Sequence, residues 1–151
     1  MLTIDIENAS STTNIPESKE FEQWVKAALQ APKDTDIELS IRIVDEEEIQ
    51  TLNRDYRGKD KPTNILSFPC ELPPGVDVPL LGDLVICANV VKNEAKEQEK
   101  PEQNHWAHMV IHGTLHLMGY DHSEDTEAEI MEALEVKLLS ELGISNPYAL
   151  N

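Results

Sequence analysis

Apolar residues change period along this chain, and that switching most restricts the folds open to it. Leu2, Ile4 and Ile6 alternate with Thr3, Asp5 and Glu7, as in a half-buried strand. Phe21, Trp24, Val25, Ala28 and Leu29 follow the spacing of one helix face, with Pro16 tolerated near the start and Pro32 closing it. Ile37, Leu39, Ile41 and Ile43 return to period two. Asp45 and Glu48 form a capping pair for a short helix that turns Ile49 and Leu52 inward. Asn64 to Phe68, closed by Pro69, reads as a third strand, and Asp83 to Ala88 as a fourth that is buried on both faces. Pro73, Pro74, Gly75 and Pro79 make 70–81 a loop rather than a domain boundary. Helices follow over about 89–100, 101–118 and 126–142, the last packing Ile130, Met131, Leu134 and Leu138 and stopping at Gly143. No repeat or low-complexity tract interrupts the order. The expected fold is α+β, a single domain over residues 1–151. It has one small mixed sheet of about four strands packed with about five helices.

All five histidines fall within residues 105–122. His112 and His116 are one turn apart, so both imidazoles project from one helix face. Gly119 can turn the chain after the helix and bring His122 back toward that pair. Three neutral imidazoles then supply three corners of a tetrahedron and leave the fourth open, as catalytic zinc sites do. The spacing H-x3-H-x2-G-x2-H is the backbone of the long metzincin zinc motif. Gly113, however, stands where a peptidase carries its general-base Glu. A mid-helix glycine is about 1 kcal/mol worse than alanine, so Gly113 implies close approach of another backbone or of substrate. His108 shares a face with His112 and is a candidate supporting residue behind the ligands, whereas His105 reads as structural or exposed. Asp121 either caps the turn or accepts a hydrogen bond from a ligand imidazole.

Charge is distributed unevenly. Acids outnumber bases 29 to 12, giving −17, which argues against a generally basic nucleic-acid coat and against adhesion to an anionic membrane. Residues 101–136 hold no Lys or Arg, and the acids from Glu124 to Glu135 read mainly as the solvent side of the last helix. Arg54, Arg57, Lys59 and Lys61, set against Asp55 and Asp60, form a local +2 segment. It is either an ordinary solvated loop or a set of fixed cations for a phosphodiester, for which the arginine fork is well shaped. No phosphate-binding glycine loop is present. Met1 to Asn8 lacks the basic and apolar regions of a secretory leader. No apolar stretch is long enough to span a bilayer, and Cys70 and Cys87 read as small buried thiols. A cytoplasmic protein is expected.

Three stretches resemble the YbeY family of bacterial rRNA maturation factors and endoribonucleases. They are Tyr56 to Pro69 (YRGKDKPTNILSFP), Leu81 to Ile86 (LGDLVI) and His112 to His122 (HGTLHLMGYDH). The resemblance covers most of the chain, and the histidine motif with glycine in second place is highly specific. It implies a metal-dependent, single-strand-directed endoribonuclease acting on ribosomal RNA rather than DNA, in 16S 3′-end maturation and ribosome quality control. It further implies one zinc ion on His112, His116 and His122, and Arg57 as the catalytic-site arginine. Arg54, Lys59 and Lys61 extend the RNA-binding segment, and the small ribosomal subunit with its assembly proteins is the implied partner. Asn64 stands where many relatives carry Asp, so no role requiring a carboxylate there transfers. Two other readings remain: a non-enzymatic assembly factor stapled by zinc, and a zinc peptidase, which Gly113 disfavours.

Overall fold

Where the apolar period is two the chain is extended, and where it is 3.6 the chain is helical. A computed structural model describes residues 2–30, 36–70, 74–75, 79–121 and 124–148. In chain order these form β1 (Leu2–Asn8), α1 (Ser18–Leu29), β2 (Ile37–Val44), α2 (Glu46–Arg57) and β3 (Ile65–Pro69), then β4 (Leu80–Cys87), α3 (Ala88–Glu97), α4 (Glu102–Leu117) and α5 (Asp125–Glu141). The four strands make one mixed sheet in the order β1-β2-β4-β3. β1, β2 and β4 are parallel, and β3 joins the far edge antiparallel to β4, with Ser67 opposite Leu84 and Phe68 opposite Asp83.

The two sheet faces are covered unequally. Leu39, Ile41 and Ile43 of β2, Leu84 and Ile86 of β4, and Ile65 of β3 meet α1, α4 and α5 in the main core. Phe21 packs edge-to-face on Trp24 and on Trp106, with ring centroids 5.7 and 5.8 Å apart. The opposite face has a smaller cluster of Val44, Leu66, Val85 and Cys87 beneath Ile49 of α2. α4 runs through the middle of the molecule, and its buried residues include Trp106, Val110, Ile111 and Leu115 on several sides. A helix buried nearly all round has little apolar asymmetry, so its few polar side chains must find partners inside the protein.

Several sequence expectations change in detail. Asp45 does occupy the residue before α2, yet neither it nor Glu48 caps the helix. The Asp45 carboxylate accepts from the Ser11 N–H and hydroxyl at 3.0 Å, and Glu48 takes the Arg42 guanidinium at 2.6 and 3.0 Å. Tertiary partners outcompeted the local cap. β4 begins at Leu80 rather than Asp83, because its ladder with β2 continues past a bulge opposite Glu38 and Leu39. Pro69 ends β3 from inside the strand. In α5 the inward residues are Met131, Glu135, Leu138 and Leu139, whereas Ile130 is 57% exposed and corrects its expected packing. Cys87 is buried, Cys70 half-buried, and both are free.

Candidate metal centre and cleft

Gly113 explains how α4 reaches the sheet. A Cβ there would lie 2.5 Å from Ile65 Cδ1 and 2.9 Å from Leu84 Cδ2, and the Ser67 hydroxyl donates to the Gly113 carbonyl at 3.1 Å. The close approach expected from sequence is therefore to side chains of β3 and β4. It brings the histidine face of α4 against the β3 edge. Past α4, Gly119 adopts φ +102°, which allows the Tyr120 N–H to return to the Leu115 carbonyl at 3.1 Å.

His112 and His116 meet as their spacing predicts, with perpendicular rings 4.6 Å apart and Nε2 atoms separated by 3.1 Å. Their Nδ1 atoms determine what those Nε2 atoms are. His116 Nδ1 lies 3.0 Å from the Tyr120 carbonyl, which only accepts, so the ring carries its proton on Nδ1. His112 Nδ1 lies 2.6 Å from the Glu135 carboxylate. Burial pushes the Glu135 carboxyl up, but hydrogen bonds from His108, His112 and Tyr148 outweigh it and hold it ionised, at about 2. With their Nδ1 atoms so engaged, the two rings turn their Nε2 atoms toward each other. Lone pairs facing at 3.1 Å repel unless a cation or a proton joins them. Two ligands on a tetrahedral zinc with bonds near 2.05 Å sit about 3.3 Å apart, so the donor set and its spacing fit a metal ion.

Glu135 is the residue that sequence reasoning missed. It was expected on the solvent side of the last helix, yet it is fully buried. It accepts from His112, from His108 Nε2 at 2.7 Å and from the Tyr148 hydroxyl. A signal did exist: Glu135 occupies the apolar stripe defined by Met131, Leu138 and Leu139. His108, His112 and Glu135 also form a buried group, with donor atoms within 4.8 Å of one another, that could hold a metal ion. Its N···O separations of 2.6 and 2.7 Å are hydrogen-bond lengths, however, shorter than the spacing of two ligands on one ion. Burial outweighs the Glu135 carboxylate and pushes the His108 imidazole below its ordinary value, so His108 is neutral.

A cleft of about 770 Å³ joins this site to the basic segment, lined by Tyr56 and Arg57, by Thr63 to Pro69, and by His112, His116, Gly119, Tyr120 and Asp121. Gly58, at φ +71°, caps α2 through its N–H to the Arg54 carbonyl and leaves Arg57 in the last turn. Asn53 is buried and donates to the Lys61 carbonyl at 2.9 Å, which pins the loop that follows. Arg54, Lys59 and Lys61 are not among the lining residues, and Arg54 pairs with exposed Asp55 at 3.2 Å. Asp121 borders the cleft, while His122 lies outside the described residues. Asn64 donates to Glu94 at 3.1 Å and accepts from the Ile65 N–H at 2.7 Å, a double role that an ionised Asp could not fill. His105 is buried with Nε2 3.0 Å from Glu94, which makes it structural.

The molecule is thus an α+β domain in which a sheet edge, a histidine-bearing helix and a single arginine share one cleft. The family model described as Endoribonuclease YbeY matches residues 5–143. The solution structure of TM1509 from Thermotoga maritima is 30% identical with a TM-score of 0.61, covering 93% of this chain and 89% of that one. The chain belongs to the YbeY family, an endoribonuclease family, and this supports a hydrolase that acts on RNA in rRNA processing. Among the described residues no helix is long and apolar enough to cross a membrane.

Proposed function

We propose that the cleft is the active site of a zinc-dependent endoribonuclease directed at single-stranded ribosomal RNA. It would act in 16S 3′-end maturation and ribosome quality control, with the small subunit and its assembly proteins presenting the substrate. The observation that carries this reading is the pair of facing Nε2 atoms in the same cleft as Arg57, each ring locked through Nδ1. His112 and His116 would hold the ion, with His122 as the third ligand by its place in the motif. When bound, zinc supplies Lewis acidity, which lowers the pKa of water toward about 7 and polarises a phosphoryl oxygen.

The chain's own residues set up the rest. Glu135 holds the proton at His112 Nδ1 and the Tyr120 carbonyl holds it at His116 Nδ1, so each ring offers its Nε2 lone pair to the ion. Arg57 binds the scissile phosphate and neutralises the negative charge that grows on its oxygens. Gly113 leaves the His112–His116 face clear of a general-base carboxylate, which separates this site from the metzincin peptidases.

Purified, metal-replete protein incubated with single-stranded RNA tests the reading. Cleavage is expected, together with its loss in His116→Ala and a parallel loss of bound zinc measured by atomic emission. No cleavage by the wild type, or cleavage unaffected in His116→Ala, overturns it.

A further inference from the structure

Two tyrosines border the cleft from different elements. Tyr56 lies beside Arg57 in the last turn of α2 and is 69% exposed, and Tyr120 follows Gly119 after α4 and is 37% exposed. The Tyr56 ring is anchored, and the Tyr120 backbone is fixed. Tyr56 packs edge-to-face on Phe68 of β3, with centroids 5.2 Å apart. The backbone of Tyr120 is fixed at both ends, its N–H bonding the Leu115 carbonyl and its carbonyl accepting from His116. Aromatic faces left in water at the margin of a cleft are available to stack on a ligand.

Charge narrows what that ligand can be. The protein carries −17, and Arg57 is the one Lys or Arg among the described residues lining the cleft. Beyond the scissile phosphate, side-chain cations therefore attract little of an RNA strand to the cleft, which leaves a role for uncharged contacts. Aromatic stacking on nucleobases is such a contact, and it tolerates any sequence because every base has a π face. It also requires bases that are not already stacked in a duplex.

We propose that Tyr56 and Tyr120 are stacking platforms for unpaired nucleobases, and that this stacking selects single strands at the Arg57–histidine cleft. The inference rests on the endoribonuclease reading and adds the residues that make it strand-selective.

Binding of fluorescently labelled, 2′-O-methyl decamers by anisotropy tests it, comparing an adenine decamer with a decamer of the same sugar-phosphate chain lacking every base. Wild-type protein is expected to bind the adenine decamer about tenfold more tightly than the abasic one. Tyr56→Ala and Tyr120→Ala should each weaken adenine-decamer binding several-fold without changing abasic binding, whereas Tyr56→Phe and Tyr120→Phe should bind as wild type. The Phe variants, with melting curves for all four, separate stacking from misfolding. Equal wild-type affinity for the two decamers, in protein that still cleaves single-stranded RNA, overturns the stacking proposal alone. Alanine variants that match wild type do the same. Protein that neither binds the decamers nor cleaves RNA overturns both proposals.

Discussion

Glu135 shows how one side chain decides what its neighbours are. With its carboxylate buried among three donors, His112 has its Nδ1 proton fixed and its Nε2 turned to the cleft. Replacing a carboxylate that orients a ligand histidine weakens metal binding roughly 10- to 100-fold. Glu135→Gln is therefore expected to lower zinc affinity by about that factor in a chelator-competition titration. Glu94 makes a separate, pH-dependent contribution. Burial pushes its carboxyl up, but hydrogen bonds from His105 and Asn64 outweigh this and leave it below the ordinary glutamate value. A depressed folded-state pKa means the unfolded chain binds more protons, so this stability is full above about pH 4.5 and is lost as pH falls further. Melting temperatures between about pH 6 and 3 should drop less steeply for Glu94→Gln than for wild type. At this scale the sequence showed His112 and His116, because four residues on a helix is a local relation. It gave Glu135 a place in the last helix's apolar stripe but not its role, because its histidine partners lie 23 and 27 residues upstream.

At the scale of elements, Gly113 and α5 make opposite tests. Gly113→Ala gains about 1 kcal/mol of helix propensity but drives a methyl into Ile65 and Leu84, both buried, where overpacking costs roughly 1–3 kcal/mol. Overpacking is expected to win by about 1 kcal/mol, lowering the melting temperature by roughly 2–4 °C in calorimetry. On α5, Ile130→Ser should change stability by less than about 0.5 kcal/mol in urea unfolding, whereas Leu138→Ala should cost about 2–5 kcal/mol. A large effect at Ile130 would contradict its 57% exposure. Strand and helix positions were legible because burial on one side imposes its period on the chain. The supposed Asp45–Glu48 cap was not, because Ser11 and Arg42, brought in by the fold, offer those carboxylates better partners.

For the whole molecule, the −17 charge sets the terms on which RNA arrives. Arbitrary RNA should bind weakly and with a shallow salt dependence in a nitrocellulose filter titration, since few phosphates are neutralised at once. Tight, strongly salt-sensitive binding would contradict a single local landing place. The sequence by itself determined the α+β order, the histidine pair on one helix face, the missing peptidase base and the family, all of which depend on residue type and short spacing. Only the tertiary structure decided that Arg57 shares a cleft with the histidines while Arg54, Lys59 and Lys61 do not line it, and that an acid from the last helix sits beneath His112. The physical reason is that burial and hydrogen-bond satisfaction are properties of a place. That place exists only once α2, β3, α4 and α5 have packed together.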